Sequence, residues 1–82
     1  MKTAKTRYEL ARKTVINCDI EMNQLDSEII YFINAFKNNE ISFEQKDNAI
    51  KICMKKQSIL VKREKKAIES MKFWEEVYKF AA

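Results

Sequence analysis

Neither glycine nor proline occurs anywhere in the 82 residues. Without glycine the chain lacks the residue that enters left-handed turns freely, and without proline it lacks the strongest helix breaker. Folds rich in tight turns are thereby nearly excluded, and long helices with few breaks are expected. The chain, residues 1–82, reads as one domain near the lower size limit for an independent core.

The apolar residues support this. Tyr8, Ala11, Val15, Cys18, Met22, Leu25, Ile29, Phe32 and Phe36 follow at alternating spacings of 3 and 4, and Ala4 extends the series backward. Such a seam predicts a helix over about 4–37 that packs on another along its whole length. The same spacing runs through Phe43, Lys46, Ile50, Cys53, Gln57, Leu60, Glu64, Ala67, Met71, Trp74, Tyr78 and Ala81, predicting a second helix over about 43–80. Lys46, Gln57 and Glu64 interrupt that seam. Polar seam residues either fix register or sit where the packing is thin and wet.

Between the helices, about 38–42, the sequence carries its own stop and start signals. Asn38 and Asn39 are the residues best able to take the left-handed conformation that closes a helix. Ser42 and Gln45 have the spacing of a capping box, in which each side chain bonds the other residue's backbone amide. Ile41 stands where a hydrophobic staple would begin, but its partner position is Lys46. So short a link makes the helices antiparallel neighbours. Ile41-Ser42-Phe43-Glu44 loosely resembles the turn segment of short bacterial helical-hairpin domains often found at protein C-termini. It lacks the glycine of their turn, and no function is carried across.

Charge gives an independent reason for the hairpin. In an antiparallel pair, residue i faces roughly residue 82 minus i. Asp19, Glu21, Asp26 and Glu28 then oppose the segment Lys51–Lys66, which holds seven basic residues and one acidic residue. Lys2, Lys5, Arg7, Arg12 and Lys13 fall near Glu69, Glu75 and Glu76. Surface pairs contribute only about 0–1 kcal/mol each, so this match selects orientation more than it stabilises.

Apolar residues also lie off the seams. Ile52, Ile59, Phe73 and Phe80, with Val77 close by, mark another side of the second helix. Met54, Val61 and Ile68 flank its seam. On the first helix Ile30, Tyr31 and Ile33 lie beside the seam near the turn, and Leu10, Ile16 and Ile20 lie off it further back. One helical neighbour cannot cover several stripes. The expected fold class is therefore all-α: a long antiparallel, coiled-coil-like hairpin completing a four-helix bundle by dimerisation.

Chemistry is largely absent from the sequence. There is no histidine for acid–base work and no glycine-rich phosphate loop. Cys18 and Cys53 belong to no metal-ligand spacing and are expected to be buried, inert and unpaired with each other. Glu44 with Asp47, and Glu75 with Glu76, read as surface charge. Tyr8, Trp74 and Tyr78 are expected to cluster where the chain ends meet. No cofactor, metal or catalytic residue is expected, and an enzyme is the least supported class.

Two functional classes remain. The first is a small protein-interaction module (adaptor, assembly factor or inhibitor) working as a homodimer or on a protein target, through Ile52, Ile59, Phe73, Val77, Phe80, Ile30 and Ile33. The second, less favoured, is a nucleic-acid-associated protein whose ridge of Lys51, Lys55, Lys62, Lys65 and Lys72 tracks phosphates. A net charge of +4 is compatible with either. The longest uncharged run, Ile29–Phe36, is too short to cross a bilayer, and Glu9 and Arg12 interrupt the basic N-terminus before a signal-peptide core can form. A reducing, cytoplasmic setting is the simpler expectation.

Overall fold

The computed structural model describes residues 3–81. Two helices account for nearly all of them, α1 (Ala4–Lys37) and α2 (Phe43–Ala81). They pack side by side as an antiparallel hairpin 60 Å long and 18 × 15 Å in section. Both helices start where expected; α2 runs one residue further. Lys2 and the side chain of Ala81 lie outside the described residues.

The turn is built from the residues whose local chemistry marked it. Asn39 has φ of 60°, the one non-glycine residue with positive φ among those described. Asparagine tolerates this conformation better than most L-residues do. Around it the Asn39 amide donates to the Phe36 carbonyl at 3.0 Å and the Glu40 amide to the Ala35 carbonyl at 2.9 Å. These two bonds form a Schellman motif, which satisfies carbonyls left over at the end of α1. Ala35, whose carbonyl accepts the Glu40 amide, is only 3 % exposed although it lies off the seam. Two residues later the capping box is formed. The Ser42 amide donates to Gln45 Oε1 at 2.9 Å, and the Gln45 amide donates to Ser42 Oγ at 3.1 Å. At the other end of α1, Thr3 Oγ1 accepts from the Thr6 amide at 3.2 Å and caps the helix.

The staple position is filled differently from a hydrophobic pair. The Lys46 ammonium lies 4.6 Å from the ring centres of both Phe36 and Phe43. The two rings meet edge to face at 6.0 Å. A cation held against two π faces, with its methylenes on apolar surface, is compatible with a seam position that a free ammonium would avoid. Phe43, counted in the seam, is nonetheless 62 % exposed. It is the first residue of α2, at the level where α1 has already ended.

Cross-helix pairs confirm the register. Phe36 meets Lys46, Glu28 meets Cys53, Asp26 meets Gln57 and Arg7 meets Trp74, each within one residue of the 82-minus-i rule. In heptad terms the seams consist of a positions (Tyr8, Val15, Met22, Ile29 and Phe36, then Phe43 to Tyr78) and d positions (Ala4 to Phe32, then Lys46 to Trp74). Burial is uneven between them. Apart from Ala35, every buried residue is at d: Ala11, Cys18, Leu25, Cys53, Leu60 and Ala67. The a residues, mostly bulkier, are half-buried or exposed. Small d side chains let the helices approach closely along one line, while the larger a side chains open sideways to solvent.

The opposite-charge blocks are aligned as expected but do not touch. The two ion pairs within 4 Å among the described residues, Lys51–Asp47 and Lys79–Glu75, both lie within α2. Long side chains on this narrow hairpin reach along their own helix more readily than across it, so the cross-helix match acts at longer range.

Two outcomes follow for stability at fixed protein concentration. Asn39→Gly should stabilise the hairpin, and Asn39→Val should destabilise it by about 1–2 kcal/mol, because a β-branched residue fits left-handed backbone poorly. Leu60→Ala should cost about 2–5 kcal/mol, the range for truncating a buried leucine. Urea midpoints read both; a neutral Asn39→Val would remove the turn from its controlling role.

Candidate protein-interaction interface

The hairpin is one helix deep, so each helix turns most of its circumference to solvent. With about 100° between successive residues, the positions flanking the contact separate into two sides. One side carries Leu10 and Tyr31 of α1 with Ile52, Ile59, Phe73 and Phe80 of α2. These are 44 to 91 % exposed, Phe80 the most. Val77 borders this side and is half-buried. The opposite side carries Ile16 and Ile30 of α1 with Met54 and Val61 of α2, all about half exposed or more, and the half-buried Ile33 and Ile68.

The residues expected to act together are thus divided. Ile52, Ile59, Phe73, Val77 and Phe80 share one side, but Ile30 and Ile33 lie on the other. Both are close to the α1 seam in sequence, yet on the flank away from Ala35 and Glu28. A count of apolar residues near a seam does not distinguish the flanks; the sign of the rotation away from it does.

On the first side a groove of about 290 Å³ runs between the helices. Leu25 and Leu60 form its floor, Glu21 and Glu28 line its α1 wall, and Lys56, Ile59 and Arg63 line its α2 wall. Its size is at the low end for a small-molecule site, and its walls carry opposite charge. Further along, Arg7 lies 4.8 Å from the Trp74 ring centre, bordering a second cleft with Leu10. Tyr8 and Tyr78 line a different cleft with Lys5 and Glu75. Trp74 is a d residue and borders the cleft on the first side, whereas the tyrosines are a residues and border a cleft on the other; by the 82-minus-i rule Tyr8 and Trp74 stand at the same height.

Gln57 and Glu64, the polar seam residues in mid-helix, each lie beside a carboxylate of α1. Gln57 Nε2 donates to Asp26 Oδ1 at 2.7 Å. The neighbouring Asp19 carboxyl, as a hydrogen-bond partner for the protonated form, together with desolvation and the Asp19 charge, raises the Glu64 pKa above the ordinary glutamate value. Cys53 donates through its thiol to Glu28 Oε2 at 3.6 Å. Both cysteines are free and buried. Burial pushes each thiol pKa up; the Glu28 hydrogen bond adds to the rise at Cys53, and the Arg63 charge opposes it at Cys18. Thiols held in this state are poor nucleophiles at neutral pH.

Lys51, Lys55, Lys62, Lys65 and Lys72 are all exposed on the outer face of α2. Lys51 is tied to Asp47 at 2.9 Å. Lys65 and Lys72 border the cleft beside Val61 and Ile68, so the ridge runs along the edge of the second apolar side. Among the described residues, no group of acidic and cysteine side chains is placed to hold a metal ion, and no helix is long and apolar enough to cross a membrane.

The class defined by these features is an all-α helical hairpin with apolar surface on two sides. Comparison with protein-family models, curated proteins and solved structures gave no match. The resemblance around Ile41-Ser42-Phe43-Glu44 is accounted for by the capping geometry itself.

The raised pKa of Glu64 beside Asp19 has a pH signature. A carboxyl whose pKa is higher folded than unfolded binds more protons when folded, so its contribution falls as pH rises through the window above 4.5. Glu64→Gln stays uncharged throughout. The variant should therefore gain on the parent chain as pH rises through that window, read from urea midpoints at a series of pH values. A pH-independent difference would show that the two carboxyls do not share a proton.

Proposed function

We propose that the chain is a non-enzymatic protein-interaction module, an adaptor, assembly factor or inhibitor, that acts through its helical faces. The observation that carries this reading is the amount of surface left open. The hairpin exposes 6581 Å². A compact monomer of 9.8 kDa is expected to expose about 5,200 Å². Part of the excess is large apolar side chains on two opposite sides, more than one neighbour would cover. Their burial on a protein partner removes that surface from water and stabilises two thin helices that have little core of their own. The free thiols suit a reducing, cytoplasmic setting.

A second reading is supported by one feature. Lys55, Lys62, Lys65 and Lys72 make no ion pair within 4 Å among the described residues, leaving an unanswered positive edge for phosphates. It is the weaker reading because the lysines lie on two adjacent rows and the positive run ends at Glu69 and Glu76.

Photo-crosslinking residues placed at Ile59, Phe73 and Lys62 separate the two. The interaction reading predicts discrete protein adducts from positions 59 and 73 in cells. Adducts to nucleic acid from position 62 alone, with duplex binding that weakens steeply as salt rises, would replace it with the second reading.

A further inference from the structure

We infer that the side bearing Ile52, Ile59 and Phe73 is covered by a second copy of this chain, with both turns at the same end of a four-helix bundle. This deepens the interaction reading and rests on it.

The argument begins with what each level of the hairpin offers. Because the register is 82 minus i, α1 and α2 residues at one height along the hairpin are known from the intramolecular pairs. Two copies can meet face to face through the same side in two ways. In one, the two-fold axis runs along the helices, so α1 of each copy lies on the partner's α2, antiparallel and at the same height. In the other, the axis is perpendicular to the helices, so α1 lies on the partner's α1 with its direction reversed.

The first arrangement matches charge and pairs apolar residues at two heights. Tyr31 comes to the height of the partner's Ile52, and Leu10 to that of the partner's Phe73. Glu21 and Glu28 come to the heights of the partner's Arg63 and Lys56, the same charges that already face each other across the groove within one chain. The second arrangement sets the acidic middle of α1 on itself and the basic middle of α2 on itself. Like charges brought together at an interface select strongly against an arrangement.

The other apolar side does not match itself as well. There, the axis along the helices would bring Ile30 to the height of the partner's Lys51 and Ile16 to that of the partner's Lys65. The area is also adequate. One side of a hairpin 60 Å long and 18 Å wide spans about 1,000 Å², more than the roughly 800 Å² per partner buried in a standard stable interface. In this bundle the two α2 helices stand at diagonal corners, so the lysine edges point apart and do not join into one track.

The test uses the full chain. Glu40, exposed beside the turn, is changed in Glu40→Cys and carries a nitroxide; the buried native thiols, with raised pKa, leave one label per chain, checked by mass. Light scattering across a concentration series should give twice 9.8 kDa. Pulsed electron paramagnetic resonance should give a label separation of about 20–30 Å, two helix diameters plus tethers. A separation near the 60 Å length of the hairpin would overturn the arrangement. Ile59→Glu with Phe73→Glu should give a helical monomer, and Met54→Glu with Val61→Glu should leave the dimer. The reverse pattern would move the contact to the other side. A monomeric parent chain would overturn the self-association; the interaction reading would still be decided by the crosslinks from positions 59 and 73.

Discussion

The left-handed backbone at Asn39 fixes more of this molecule than any side-chain contact does. Both seams repeat at 3 and 4 without a break, so a shift of one heptad would still bring apolar residues together. What selects one register is the length of the link. The Schellman bonds end α1 at Lys37, the Ser42–Gln45 box starts α2 at Phe43, and the chain between them cannot slip. Polar seam residues reinforce the choice. The Gln57–Asp26 bond forms only in this register; a slip of one heptad would set Asp26 opposite an apolar residue or a carboxylate.

Within that register the core is narrow. Its best-buried residues form one line of alanines, cysteines and leucines. A line of this kind gives close approach but little apolar area, and the bulkier residues on its flanks remain half in water. The surface that would complete the core is therefore on the outside of the hairpin, on two sides of different character. One combines apolar side chains with walls of opposite charge. The other adjoins a lysine edge. The two sides therefore offer different chemistry to anything that docks on them.

Much of the fold was legible in the sequence because the relevant signals are local. Helix period, the αL tolerance of asparagine and the reciprocal spacing of a capping box each depend on a few neighbouring residues, and the helix bounds follow from them. The antiparallel register was legible because a short link leaves little freedom. What was not legible depends on rotation and reach. Ile30 and Ile33 match Ile52 in apolar character and nearness to a seam, but they lie on the opposite flank. Tyr8, Trp74 and Tyr78 share one end of the hairpin, but the clefts they line open on different sides. The burial of Ala35, beside the Schellman bonds of the turn, is one that no seam pattern encodes. The charge blocks aligned as expected, but whether long side chains would meet across the helices depended on their geometry.

The placement of the turn also bears on the order in which this chain assembles. Contacts near Asn39 join residues only a few positions apart, and each layer further out encloses chain already ordered by the previous one. The entropy of loop closure is thus met mainly once, at the turn, and the helices can then zip toward Tyr8 and Trp74. The same sequence of events runs backward when the hairpin opens. The free ends part first, while the Phe36–Lys46–Phe43 stack beside the turn is the last cross-helix contact to separate.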